Sequence, residues 1–168
     1  MAATFSWIEY NATAGDTSVP TNLNLGSTNA ADLAPSTYPI TAGTYSYSKW
    51  VTGLWGGTFT RIENLKFWCS ASGSGLVSGE ILRFSGTESS YGGTDSFVAP
   101  TTNADAQAAN TLVYSEPSGA NTGIGGSLTG SLESAGDSDF IVLQASIGSG
   151  ASAGATQTKT FTLQYDEV

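Results

Sequence analysis

Apolar residues in this chain recur at every second position over short runs, and no stretch carries the three-and-four spacing of an amphipathic helix. Phe161, Leu163 and Tyr165 alternate with Thr160, Thr162 and Gln164, which predicts a half-buried strand near the C-terminus. Ile141, Leu143, Ala145 and Ile147 predict a second, and Phe140 and Val142 in the other phase suggest that both of its faces are covered. Leu76 to Phe84 reads as a third, with Gly79 marking a bulge or a close approach. The longest candidate is Thr58 to Trp68, where Phe59, Leu65 and Phe67 share one phase and Ile62 and Trp68 the other. A change of phase near Glu63-Asn64 predicts a bulge there. Ala3 to Tyr10, Val19 to Leu25, Thr44 to Val51 and Thr111 to Ser115 complete the set. The one helical candidate, Asn103 to Asn110, is Ala-rich and has almost no apolar face.

Eight or nine short strands between Gly/Ser/Asn/Pro loops predict an all-β fold, an antiparallel β-sandwich or a jelly-roll-like barrel with long loops. Gly26 to Gly43, with Pro35 and Pro39, reads as an ordered long loop; residues 85–110 and 148–156 read as further excursions. No internal repeat and no linker divides the chain, so residues 1–168 are expected to form one domain. Composition agrees: Ser, Thr and Gly make up 66 of 168 residues, a bias that depresses helix and suits strands joined by tight turns.

Charge and chemistry narrow the function. There is no histidine, which removes the commonest general base and metal ligand. Fourteen carboxylates face five cations, and Lys49, Arg61, Lys66, Arg83 and Lys159 are too few and scattered to follow a phosphate backbone. Nucleic acid is therefore not an expected partner. The start, Met1 to Glu9, has neither a basic nor an apolar leader region, and no window approaches 18 apolar residues, so neither export by a signal peptide nor a membrane partner is expected. Cys69 has no second cysteine to pair with and is expected to be a buried small hydrophobe.

Several motifs fail on mechanism. Gly150-Ala-Ser152-Ala-Gly154 matches a nucleophile elbow in letters, but no histidine exists to activate Ser152. Asp137-Ser-Asp139 could offer oxygens to Ca²⁺, yet it lacks the spaced ligands of a calcium loop and reads as a turn into the 140–147 strand. Asn11-Ala-Thr13 is a glycosylation sequon that reads as coincidence without a secretory route. Nothing singles out two of the carboxylates as a glycosidase pair. No catalytic residue, cofactor or metal site is expected, and a binding or assembly module is the better reading.

The aromatics are the candidate binding residues. Tyr45, Tyr47, Trp50 and Trp55 fall within eleven residues and could build a core, a protein contact or a sugar platform. Phe5, Trp7 and Tyr10 at one end and Phe161 and Tyr165 at the other are read as terminal arms reaching a neighbour; central strands are the competing reading.

Five stretches together resemble small accessory virion proteins of tailed bacteriophages, of the capsid decoration or cement type. They are Phe5 to Tyr10, Tyr38 to Gly43, Lys49-Trp50, Thr58 to Trp68 and Lys159 to Val168, so the likeness touches both ends and the middle of the chain. The resemblance implies a β-rich fold, attachment to the major capsid protein on the outer surface of the virion, synthesis in the host cytoplasm, and self-association, often as trimers. It carries no functional residues to match. A carbohydrate-binding sandwich using Tyr45, Trp50 and Trp55, and other virion stations in the tail, neck or head fibre, are the alternatives.

Overall fold

The computed structural model describes residues 2–11, 19–71, 79–91, 110–111, 114–151 and 158–168. Its strands are β1 (Ala3–Glu9), β2 (Lys49–Gly57), β3 (Ile62–Ala71), β4 (Glu80–Glu88), β5 (Asn110–Thr111), β6 (Gly136–Asp137), β7 (Phe140–Ile147) and β8 (Lys159–Glu167). All pairings are antiparallel. One sheet runs β1-β2-β7-β4-β5, with β6 also pairing β2; the other is β3-β8.

The two sheets pack face to face. Val51 from β2, Leu82 and Phe84 from β4, and Ile141, Leu143 and Ala145 from β7 meet Phe67 and Cys69 from β3, with Phe161 and Leu163 from β8 against them. A second cluster, Trp55, Ile62, Leu65 and Ile124, closes one end, flanked by Phe5, Phe59 and Tyr165. The fold is an all-β antiparallel sandwich, and the described residues form no closed barrel.

β1, β7 and β8 lie where the alternation places them, and the bulge falls at its expected site. Register slips between Glu63 and Lys66, and Asn64 takes the left-handed conformation at φ 56°. Asparagine tolerates that region better than other residues with a Cβ, and Asn64 Nδ2 is held at 2.8 Å from Asp166 Oδ2 on β8.

The structure differs in several places. Strand β3 begins at Ile62 and not at Thr58. Strand β2 runs on to Gly57, through a Gly53/Gly56/Gly57 stretch whose glycines read as turn signals. Gly53 has another cause: a Cβ there would lie 2.8 Å from Trp55 Cη2 and 2.9 Å from both Leu163 Cδ2 and Phe5 Cε2, so these rings and methyls need bare backbone.

Ahead of β2, residues 44–48 still follow β7 but slip by one position. Tyr45 bridges Ser146, and the Ser46 hydroxyl accepts the Ala145 N–H at 2.9 Å. Val19 to Leu25 is not a strand, because side chains take the donors that a ladder would need. Asp32 Oδ1 accepts the N–H of Thr21 at 2.7 Å and of Asn22 at 3.2 Å, and Asn22 Oδ1 accepts that of Asn24 at 3.0 Å. Of the expected strands at 76–84 and 111–115, β4 begins at Glu80 and only Asn110–Thr111 pairs it from the second; residues 76–78 and 112–113 lie outside the described residues, as do Asn103 to Ala109 and Ser152.

Candidate interaction surfaces

Among the described residues, Lys49, Arg61, Lys66 and Lys159 form ion pairs within the molecule. The ammonium of Lys49 meets Glu9 Oε1 with both side chains out of solvent, and donates a second bond to Ala30 O at 3.1 Å. Burial pushes the Lys49 pKa below its ordinary value, against the pull of Glu9. Beside this pair, Asn11 Nδ2 donates to Ser48 O at 2.7 Å and Asn29 Oδ1 at 2.8 Å, while its Oδ1 accepts the Trp50 N–H at 2.8 Å. The sequon asparagine is thus buried and fully engaged, and the network clamps the 19–33 loop to β1 and β2. Lys159 pairs with Glu80 at 3.0 Å, again out of solvent. Arg61–Glu63 (2.9 Å) and Lys66–Glu116 (2.8 Å) are more open. Glu133, Asp137, Asp166 and Glu167 face outward, so the exposed charge is acidic.

The carboxylate of Asp139 is committed to a turn. It is buried, and both oxygens accept the Gly126 N–H at 2.9 Å, from a turn whose Gly125 and Gly126 have φ of 63° and 80°. Asp137 is exposed and points elsewhere in the β2–β6 pairing. Among the described residues no three acidic or thiol groups gather as a metal site. Cys69 has no exposed surface, and burial pushes its thiol pKa up.

The aromatics divide by sheet face, and several expectations need correction. Trp55 is fully buried, with Phe5 at 5.3 Å and Tyr165 at 5.2 Å between ring centroids. Trp50 is 2% exposed and lies beneath Tyr91 (5.2 Å) and Phe140 (5.5 Å), with Tyr10 beside Phe140. Neither tryptophan can meet a sugar or a protein partner while the domain is folded. Tyr45 and Tyr47 are half-buried in the slipped segment. The terminal aromatics are not arms: Phe5 and Trp7 sit in β1, their rings 5.4 Å apart, and Phe161 of β8 stacks on Phe67 at 5.8 Å.

No protein-family model, curated protein or solved structure matches the chain.

Among the described residues, two outward features bear on binding, and the sequence alone does not single out the first. Trp68 lies in β3 between Phe67 and Cys69, both fully buried, so alternation turns its ring to the outer face of the β3–β8 sheet. It pairs with Thr162, flanked by Lys66–Gln164 and Ser70–Thr160, making a half-buried indole in a hydroxyl- and amide-lined surface. The phase change before Leu65 already hinted at this, since it puts Trp68 opposite Phe67. The other feature is β1, the last strand of its sheet. By contrast, the free side of β3 is covered, because Asn121 Oδ1 accepts the Phe67 N–H at 2.7 Å and its Nδ2 donates to Phe67 O at 2.8 Å.

Proposed function

We propose that this chain is a non-enzymatic structural protein of a tailed-phage virion, a decoration protein that binds the major capsid protein and stabilises the head. One observation carries the non-enzymatic part. Both buried lysine–glutamate pairs tie the strands of the sandwich to each other or to a loop, and the described residues present outward sheet faces, a strand edge, carboxylates and scattered apolar side chains. Those are the means of a docking module. The placing on a capsid rests on the sequence resemblance. Many copies, each bridging neighbouring subunits, would oppose expansion of the shell through apolar burial at roughly 25 cal/mol per Å² and through multivalency. The test is cryo-microscopy of the particle that contains the chain. Density repeating at every capsomer is expected; density confined to one vertex or to the tail would move the protein to another station.

Trp68 favours a second reading, a carbohydrate-binding face on β3–β8. A half-buried indole among Thr, Ser and Gln side chains can stack on a sugar ring while the sugar hydroxyls are hydrogen-bonded. Glycan binding abolished by Trp68→Ala but kept in Tyr45→Ala would support it, and a negative glycan array would remove it.

A further inference from the structure

The free edge of β1 has a defined chemistry. Tyr10 N donates to Trp50 O at 3.0 Å, which fixes the hydrogen-bonded phase of the β1–β2 ladder on the even residues of β1. The other phase therefore points away from β2. Two contacts agree: Gly53, opposite Trp7, exchanges bonds with Ser138 on the far side of β2, and the outward N–H of Ala3 is taken by Glu167 Oε1 at 2.9 Å. Phe5 and Trp7 are left with outward N–H and C=O groups that have no partner among the described residues.

Among the described residues, the central part of this edge lacks most of the usual protections. β1 contains no proline and no lysine, its register against β2 runs without a bulge from Ala3 to Glu9, and its one charge, Glu9, is buried against Lys49. The acidic charge elsewhere on the surface therefore leaves this strand neutral towards a copy of itself. A neutral antiparallel edge is complementary to itself about a two-fold axis.

We infer that β1 pairs with β1 of a second copy of this chain, antiparallel about a two-fold at Ser6. In that register Phe5 faces Trp7 of the second copy, and Trp7 faces its Phe5, closing about four N–H···O bonds. Thr4 faces Ile8 of the second copy, and the two Ser6 residues meet at a non-hydrogen-bonded site. The two five-strand runs become one sheet crossing the dimer. This inference does not depend on the virion reading, since it concerns only the free protein.

The register gives the test. Sedimentation of the full chain at ~50 μM should return twice the chain mass of 17.2 kDa. Ser6→Lys sets two like charges face to face on exposed side chains and should weaken the dimer at least tenfold, with far-UV circular dichroism unchanged. Ser6→Cys should form an interchain disulfide on mild oxidation, because Cα atoms at such a site lie ~4.5 Å apart. Thr4→Cys, facing Ile8, should not. A monomeric wild type, a dimer indifferent to Ser6→Lys, or linking by Thr4→Cys as readily as by Ser6→Cys would each overturn the pairing. Cys69 is fully buried and does not compete.

Discussion

The buried Glu9–Lys49 pair shows how a single residue is committed by its surroundings. Removing one partner strands the other in a medium that cannot solvate it. Glu9→Gln should cost about 3–5 kcal/mol in urea unfolding, whereas Glu9→Leu with Lys49→Met should recover most of that loss. Gly53 is the opposite case, a residue chosen for what it lacks. Gly53→Ala drives a methyl into Trp55, Leu163 and Phe5 and should cost about 1–3 kcal/mol by the same measurement. Asp32 sets part of the acid limit. The Thr21 N–H, then the Thr21 hydroxyl, hold its carboxyl below the ordinary value of 3.8. The unfolded chain thus takes the proton first, so this stabilisation is whole above pH 3.8 and is lost as pH falls below it. Asp32→Asn should flatten the acid side of a melting-temperature profile; an unchanged profile would refute the assignment. Neither the ion pair nor the Asp32 clamp was legible in the sequence, because each joins residues ten or more positions apart through a loop without periodicity.

At the scale of elements, alternation located β1, β7, β8 and the bulge of β3, because each carries its own phase of apolar side chains. It failed at β2 and at 19–25, where backbone partners decide. Gly53, a turn signal in the sequence, serves in β2 as room for two rings of its own sheet, Trp55 and Phe5, and for Leu163 of the opposite sheet. The β3 bulge should follow conformational preference: Asn64→Gly is expected to be tolerated, while Asn64→Val, forced to φ near 56°, should cost about 1–2 kcal/mol. The Asn121 side chain acts as a one-residue strand on β3. Asn121→Ala exposes the Phe67 amide and carbonyl and should cost about 1–3 kcal/mol, read from the denaturation midpoint and from faster hydrogen exchange at Phe67.

For the whole molecule, the two termini matter more than terminal position suggests. β1 and β8 contribute Phe5, Trp7, Phe161, Leu163 and Tyr165 to the space between the sheets, and Ala3 is bonded across to Glu167. Deleting residues 1–6 should therefore abolish cooperative thermal unfolding. A stable truncated domain that merely loses an attachment would restore the arm reading. The same geometry explains why alternation alone does not tell covered aromatics from outward ones. Trp55 and Trp68 sit in equally plain strand contexts, but β2 faces the second sheet with Trp55 while β3 turns Trp68 away from the first.

The sequence by itself determined the all-β class, most strand positions, the bulge at Glu63-Asn64 and the absence of histidine chemistry. Those depend on period and composition, which are local. Only the tertiary structure decided which tryptophan is covered, which lysine is neutralised and which strand ends a sheet. Alternation divides side chains into two faces, but burial of either face depends on what packs against it, and that partner comes from distant chain.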